Sequence, residues 1–259
     1  MNEGSTADLP ENLTEINETI KHGRTLNLVL LHNFELDKNT GEPKITQDPE
    51  KFQRLIEHIG GKGEIVKIYN GVPKENDAKA AVTQKTTDLL AEAMEEQGKS
   101  VRPTRRRDEL QRLPGTPEYY SYLADKSREE NPDLADLEEG EVLAQTGAAI
   151  YDLWRKYPDP KGEIPSAKEV NARFNQIIQR LKKIAERSPS DYPDATLILI
   201  VDRAIQGWLF NQTGITSAEI GKIQDDEPIE MTFSGDPKDQ PMFSFKGEEY
   251  QIKLENQEA

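Results

Sequence analysis

His32 is the residue of this sequence best placed to do chemistry. It follows the apolar run Leu26-Asn27-Leu28-Val29-Leu30-Leu31. A histidine at the carboxyl end of a buried strand can act as nucleophile, general base or phosphate donor. A partly buried imidazole bonded to backbone is the competing reading, since no partner stands beside it in sequence. Asp202 and Arg203 follow the most apolar stretch, Thr196 to Val201. An arginine there can hold a phosphate or carboxylate through two parallel hydrogen bonds, helped by the N-terminus of the next helix. An internal salt bridge, with Asp202 capping that helix, is the alternative. Asn33 and Asn70 also fall just past apolar strands and join the candidate ligand-binding set. Arg105-Arg106-Arg107 reads more readily as a solvated loop than as an anion contact. Gly60-Gly61-Lys62-Gly63 lacks the strand–loop–helix order of a phosphate loop.

Composition removes several other chemistries. The 259 residues hold 33 basic and 48 acidic side chains, a net charge of −15, no cysteine and three histidines. Disulfides, cysteine–zinc sites, thiol nucleophiles and iron–sulfur clusters are excluded. His22, His32 and His58 are too scattered for a histidine metal site, so no metal and no cofactor is expected. His22 and His58 fall off the apolar faces of their helices and are expected to be exposed. The acid excess argues against nucleic acid as a partner. No apolar run approaches the roughly 20 residues that span a bilayer, and the acidic N-terminus lacks a signal-peptide layout. A cytoplasmic protein without membrane contact is the expectation; the oligomeric state is not legible.

These residues need a scaffold, and the hydropathy pattern supplies one. Residues 1–24 read as a tail followed by a short helix carrying Leu9, Leu13, Ile16 and Ile20 at helical spacing. Strands are predicted at Thr25–Leu31, Glu64–Tyr69, Ser100–Pro103 and Thr196–Val201. Helices are predicted from Pro49 to Gly60, over 78–97, through Leu143 to Tyr157, from the Ser166-Ala167-Lys168-Glu169 capping box, and after Ala204. Residues 104–139 read as an irregular insertion. Alternating residues between Glu230 and Leu254 predict an antiparallel finish. Apolar strands alternating with amphipathic helices mean a three-layer α/β/α sandwich with a mainly parallel sheet, here a single domain over 25–259. Ligands bind such sheets beyond the carboxyl ends of the strands. His32, Asn33, Asn70, Asp202 and Arg203 all fall there.

The order of elements resembles the histidine phosphatase superfamily, also called phosphoglycerate mutase-like. Its first strand ends in Arg-His-Gly with an acidic residue following, and Leu31-His32-Asn33-Phe34-Glu35 stands in that place. Its helix entry looks like Ile45-Thr46-Gln47-Asp48-Pro49. Its second strand and helix look like Val66 to Asn70 and Thr86-Thr87-Asp88-Leu89-Leu90. Its Glu-Ser segment looks like Ile164-Pro165-Ser166 through Arg173, and its last strand like Leu197 to Val201 followed by Asp202-Arg203.

The resemblance implies a nucleophilic histidine, a second histidine and two arginines around a phosphate, and an acid that protonates the leaving group. His32 matches the nucleophile, and Glu35 the acidic residue of the first motif. Leu31 replaces the first arginine and Asn33 the glycine. Arg203 stands at the second histidine. The second arginine is missing from Pro73 to Gln84, where only Lys74 and Lys79 occur, with Lys85 just beyond. Glu109 and Glu118 are the candidate acids. Phosphoryl transfer depends on positioned positive charge, and losing one such donor typically costs about two to three orders of magnitude in rate. Arg203 cannot donate a proton, because a guanidinium stays charged across the working pH range. The expectation is a catalytically impaired, pseudoenzyme-like member that binds a phosphorylated small molecule or a protein partner. An active phosphomonoesterase or mutase using His32 as phospho-acceptor is the alternative.

Overall fold

The computed structural model describes residues 23–254 except 33, 38, 71–77, 107–115, 202–204, 222 and 224–226; for 78–80, 103–106 and 148 it describes the backbone. Seven strands form one sheet: β1 (Leu26–His32), β2 (Ile65–Asn70), β3 (Ser100–Arg106), β4 (Ala195–Val201), β5 (Ile229–Phe233), β6 (Met242–Phe245) and β7 (Glu248–Gln251). Their order is β3-β2-β4-β1-β5-β6-β7. The first four run parallel, and β5 to β7 add the antiparallel finish.

Alternation along the strands divides the core in two. Val29 and Leu31 of β1, Val66 and Ile68 of β2, and Ile198 and Ile200 of β4 face one side. There they pack on Leu55, Ile56 and Ile59 of α1 (Pro49–Gly60) and Leu90 and Met94 of α2 (Ala78–Glu96). Leu26, Leu28 and Leu30, with Leu197, Leu199 and Val201, face the other side. They meet α3 (Pro117–Glu130), α5 (Ile150–Lys156), α6 (Ala167–Arg187) and α7 (Ile205–Thr213). A strand buried on both faces must be apolar at nearly every position, which is the pattern of β1 and β4. The architecture is thus the three-layer α/β/α sandwich that the pattern predicts.

Local chemistry fixes the helix starts. The Asp48 side chain accepts from the Lys51 N–H ahead of Pro49. Ser166 and Glu169 exchange the two hydrogen bonds of a capping box at α6. Three details differ from the sequence expectations. The stretch 104–139, read as irregular, contains the fourteen-residue helix α3, capped by Thr116 and opened by Pro117. The helix read through Leu143 to Tyr157 is broken into α4 (Glu139–Thr146) and α5, because Gly147 takes a φ of +52° between them. A short α8 (Ser217–Ile220) follows α7. The expected N-terminal helix lies outside the described residues.

Candidate functional site

The four parallel strands end along one edge of the sheet. His32 pairs in register with Val201, and Asn70 with Arg106. Across this edge the strand ends follow in the order Arg106, Asn70, Val201, His32. Strand spacing puts the His32 backbone about 5 Å from Val201 and about 10 Å from the end of β2. From β1 the chain crosses through α1 toward β2. From β4 it crosses the opposite face through α7 toward β5. Two neighbouring strands that leave in opposite directions open a crevice between their ends. α7 starts at Ile205, four residues past Val201, and turns its N-terminal amides toward the same edge.

His32 is the last residue of β1 and is half-buried. By alternation it shares the face of Leu28 and Leu30, while Leu31 points the other way. Leu31 is fully buried in the α1–α2 layer, in one cluster with Phe34, Ile45 and Ile56. The residue immediately before His32 is therefore sealed in hydrocarbon.

Two adjacent threonines of α2 tie down the strand ends. The Phe34 N–H donates to Thr86 Oγ1 at 3.2 Å, and the Asn70 amide donates to Thr87 Oγ1 at 3.0 Å. Thr87 in turn donates to the Thr83 carbonyl at 2.7 Å. Thr86, Thr87 and Asn70 are all buried. Asn70 is thus a structural tie, with its amide turned into the α2 layer. The sequence carried a signal for this anchor: Thr83, Thr86 and Thr87 interrupt the inner, otherwise apolar stripe of α2 that continues to Leu90 and Met94.

The remaining candidates divide among several places. The Glu35 carboxylate lies 3.2 Å from Lys44 Nζ and is half exposed. Lys85 donates to the Gly41 carbonyl at 2.7 Å and lies 3.2 Å from Glu42, so its charge is drawn to the loop before α1. Glu118 sits in the first turn of α3. Its own backbone N–H and the Thr116 hydroxyl hold its carboxyl below the usual carboxylate range, with Lys161 adding attraction. A leaving-group acid needs the opposite shift. Asn33, Glu109, Asp202 and Arg203 lie outside the described residues. Arg105 and Arg106, read as part of a loop, are the last two residues of β3, and Arg106 ends level with Asn70. His58, read as solvated, is half exposed, and its Nε2 stands 2.8 Å from the Glu230 carboxylate, which also meets Lys62. Among the described residues no group of three or more acidic or histidine side chains could hold a metal ion, and no helix is long and apolar enough to cross a membrane.

No protein-family description and no curated protein matches the sequence. The fold is similar to several solved structures. The structure named mycobacterial hydrolase 2 is 14% identical, with 89% of this chain and 94% of that one covered at a TM-score of 0.49. A mycobacterial glucosyl-3-phosphoglycerate phosphatase is 16% identical, covering 81% and 91% at 0.47. The phosphoglycerate mutase of Plasmodium falciparum is 12% identical, covering 87% and 97% at 0.37. At these identities the likeness concerns the fold and assigns no chemistry.

Proposed function

We propose that this chain is a histidine-phosphatase-like domain that has lost most phosphoryl transfer and binds a phosphate-bearing ligand at the strand edge beside His32. The burial of Leu31 carries this reading. A phosphoryl transition state spreads negative charge over three oxygens and is stabilised by fixed cations. Here the position next to the nucleophile candidate holds a hydrocarbon side chain turned away from it. Lys85, the described lysine nearest the missing second arginine, is engaged by Gly41 and Glu42. Glu118 is held ionised and is a poor proton donor at neutral pH. Ground-state binding asks for less. His32, the α7 amides and Arg203 in the short link between β4 and α7 supply donors for one phosphate group, without the clamp that lowers a barrier.

Titration of inorganic phosphate into the full chain, followed by the NMR signals of the His32 ring, tests the reading. Saturable shifts that weaken about tenfold or more in Arg203→Gln are expected, the scale of one charge-assisted bond. Absence of any His32 shift at tens of millimolar phosphate would overturn it.

A further inference from the structure

α3 is covered on two sides. Tyr119 and Leu123 join the large core against the sheet, whereas Ala124 packs in a separate cluster with Leu134 and Val142. Leu137 and Leu143 border that small cluster. Its outer half comes from residues 131–146, the turn Pro132–Leu134 followed by α4. Of these sixteen residues, only Leu134 and Val142 are buried. Five acids and no basic residue fall between Asp133 and Glu141, all on the exposed surface. Polar ties join the segment to α3. Ser121 donates to the Glu139 carboxylate at 2.6 Å, and Arg128 donates to the Leu137 carbonyl at 2.9 Å. Thr146 gives its hydroxyl proton to the Val142 carbonyl at 2.7 Å, so Ser127 is the donor to Thr146 Oγ1 at 2.8 Å.

Both ends of the segment break from their helices. Asn131 leaves α3 in an extended conformation, and its side chain accepts from the Asp133 N–H at 3.2 Å. Gly147 ends α4 with φ +52° and ψ −124°, a conformation that strains any side chain even though a Cβ there would meet nothing within 4 Å. Beyond Gly147 the chain is anchored again. In α5, Trp154 Nε1 donates to the Pro165 carbonyl at 3.1 Å, and the Asp152 carboxylate accepts from the Ser217 N–H at 3.0 Å. The Arg155 guanidinium lies 3.2 Å from the centre of the Phe210 ring of α7. Between α3, α4 and α5 lies an open cleft of about 640 Å³. Glu130, Arg155 and Lys156 line it from the anchored helices, and Gln145 and Thr146 line it from α4.

We propose that residues 131–147 are a lid on this cleft, opening as one unit while the sheet stays folded. Leu134 and Val142 leave Ala124, the backbone pivots at Asn131 and Gly147, and the Gln145–Thr146 wall of the cleft swings away. A helix of eight residues does not hold itself in water, so α4 stands on two buried side chains and the ties to α3. Segments with so little buried apolar surface open at a fraction of the global free energy.

Hydrogen exchange on the full chain, read residue by residue at low urea, tests this opening independently of phosphate binding. Amides of 142–147 are expected to exchange about a hundredfold or more faster than those of β4, with little dependence on urea. Val142→Ala should speed them about tenfold by shrinking the small cluster. Ile198→Val lies in the α1–α2 layer, away from the lid. It should speed β4 exchange about two- to tenfold and leave 142–147 unchanged, because the sheet stays intact in both states of the lid. Exchange at 142–147 that matches β4 in rate and urea dependence overturns the proposal, since the segment then opens only with the whole chain. So does equal acceleration of both regions in Ile198→Val, or unchanged exchange at 142–147 in Val142→Ala.

Discussion

Replacing Leu31 with arginine returns the cation at the position where the resemblance has one, and its cost follows from the packing. The Leu31 side chain is fully buried among Phe34, Ile45 and Ile56. Removing a buried leucine side chain forfeits about 1.5–3 kcal/mol of apolar burial. A guanidinium without a partner in that layer adds several kcal/mol. Leu31→Arg should therefore lose about 5 kcal/mol or more, a large share of the roughly 5–15 kcal/mol of a typical domain. At about 2–4 °C per kcal/mol for a chain of this size, the melting temperature should fall by at least about 10 °C. Leu31→Met conserves volume and should cost less than about 1.5 kcal/mol. Urea denaturation followed by tryptophan fluorescence reads both, since Trp154 and Trp208 are buried in the other layer. If Leu31→Arg keeps the original midpoint and gains His32-dependent phosphatase activity, the side chain reaches the edge and the account of the lost clamp fails.

Other perturbations have definite signs. Thr86→Val keeps the shape of the side chain but leaves the buried Phe34 N–H without its acceptor, and should cost about 1–3 kcal/mol in chemical denaturation. Ser166→Ala removes the side-chain half of the α6 capping box and should cost about 1 kcal/mol by the same assay. The Ser166 backbone N–H holds the Glu169 carboxyl low, and the Thr216 hydroxyl does the same for Glu219. A folded-state pKa below the unfolded value, near 4.3, gives stability that is present above that value and lost as pH falls through the folded one. Stability should therefore decline below about pH 5, and Glu169→Gln/Glu219→Gln should flatten that decline.

Much of the scaffold was legible because each layer imposes a period. β1 and β4 are buried on both faces and read as continuous apolar runs, and α6 announces itself through Ser166 and Glu169. α3 was missed because its inner face is built from Tyr119, Leu123, Ala124 and Ser127, a mixed stripe that a hydropathy pattern reads as polar. The Thr116-Pro117 start was the usable signal. At the strand edge, the end of an apolar run marks His32 as the last residue of β1 and Asn70 as the last of β2, but nothing in the sequence shows that the Asn70 amide bonds to Thr87. A buried asparagine and an exposed one look alike in sequence, and the Thr87 hydrogen bond shows which layer the Asn70 amide enters. The role of Thr86 is equally invisible without the fold, because its partner is a backbone N–H 52 positions away. Arg105 and Arg106 looked like loop residues because three consecutive arginines carry no strand period. The pairing with β2 extends β3 through them.

The most direct test of the central claim is a comparison of unaltered chain and His32→Ala for hydrolysis of a generic phosphomonoester, with acid-stable and acid-labile phosphoenzyme measured in parallel. The account predicts equal, near-buffer rates for both and no acid-labile phosphate on the chain. A rate well above buffer that vanishes in His32→Ala, with phosphohistidine trapped at position 32, would contradict it.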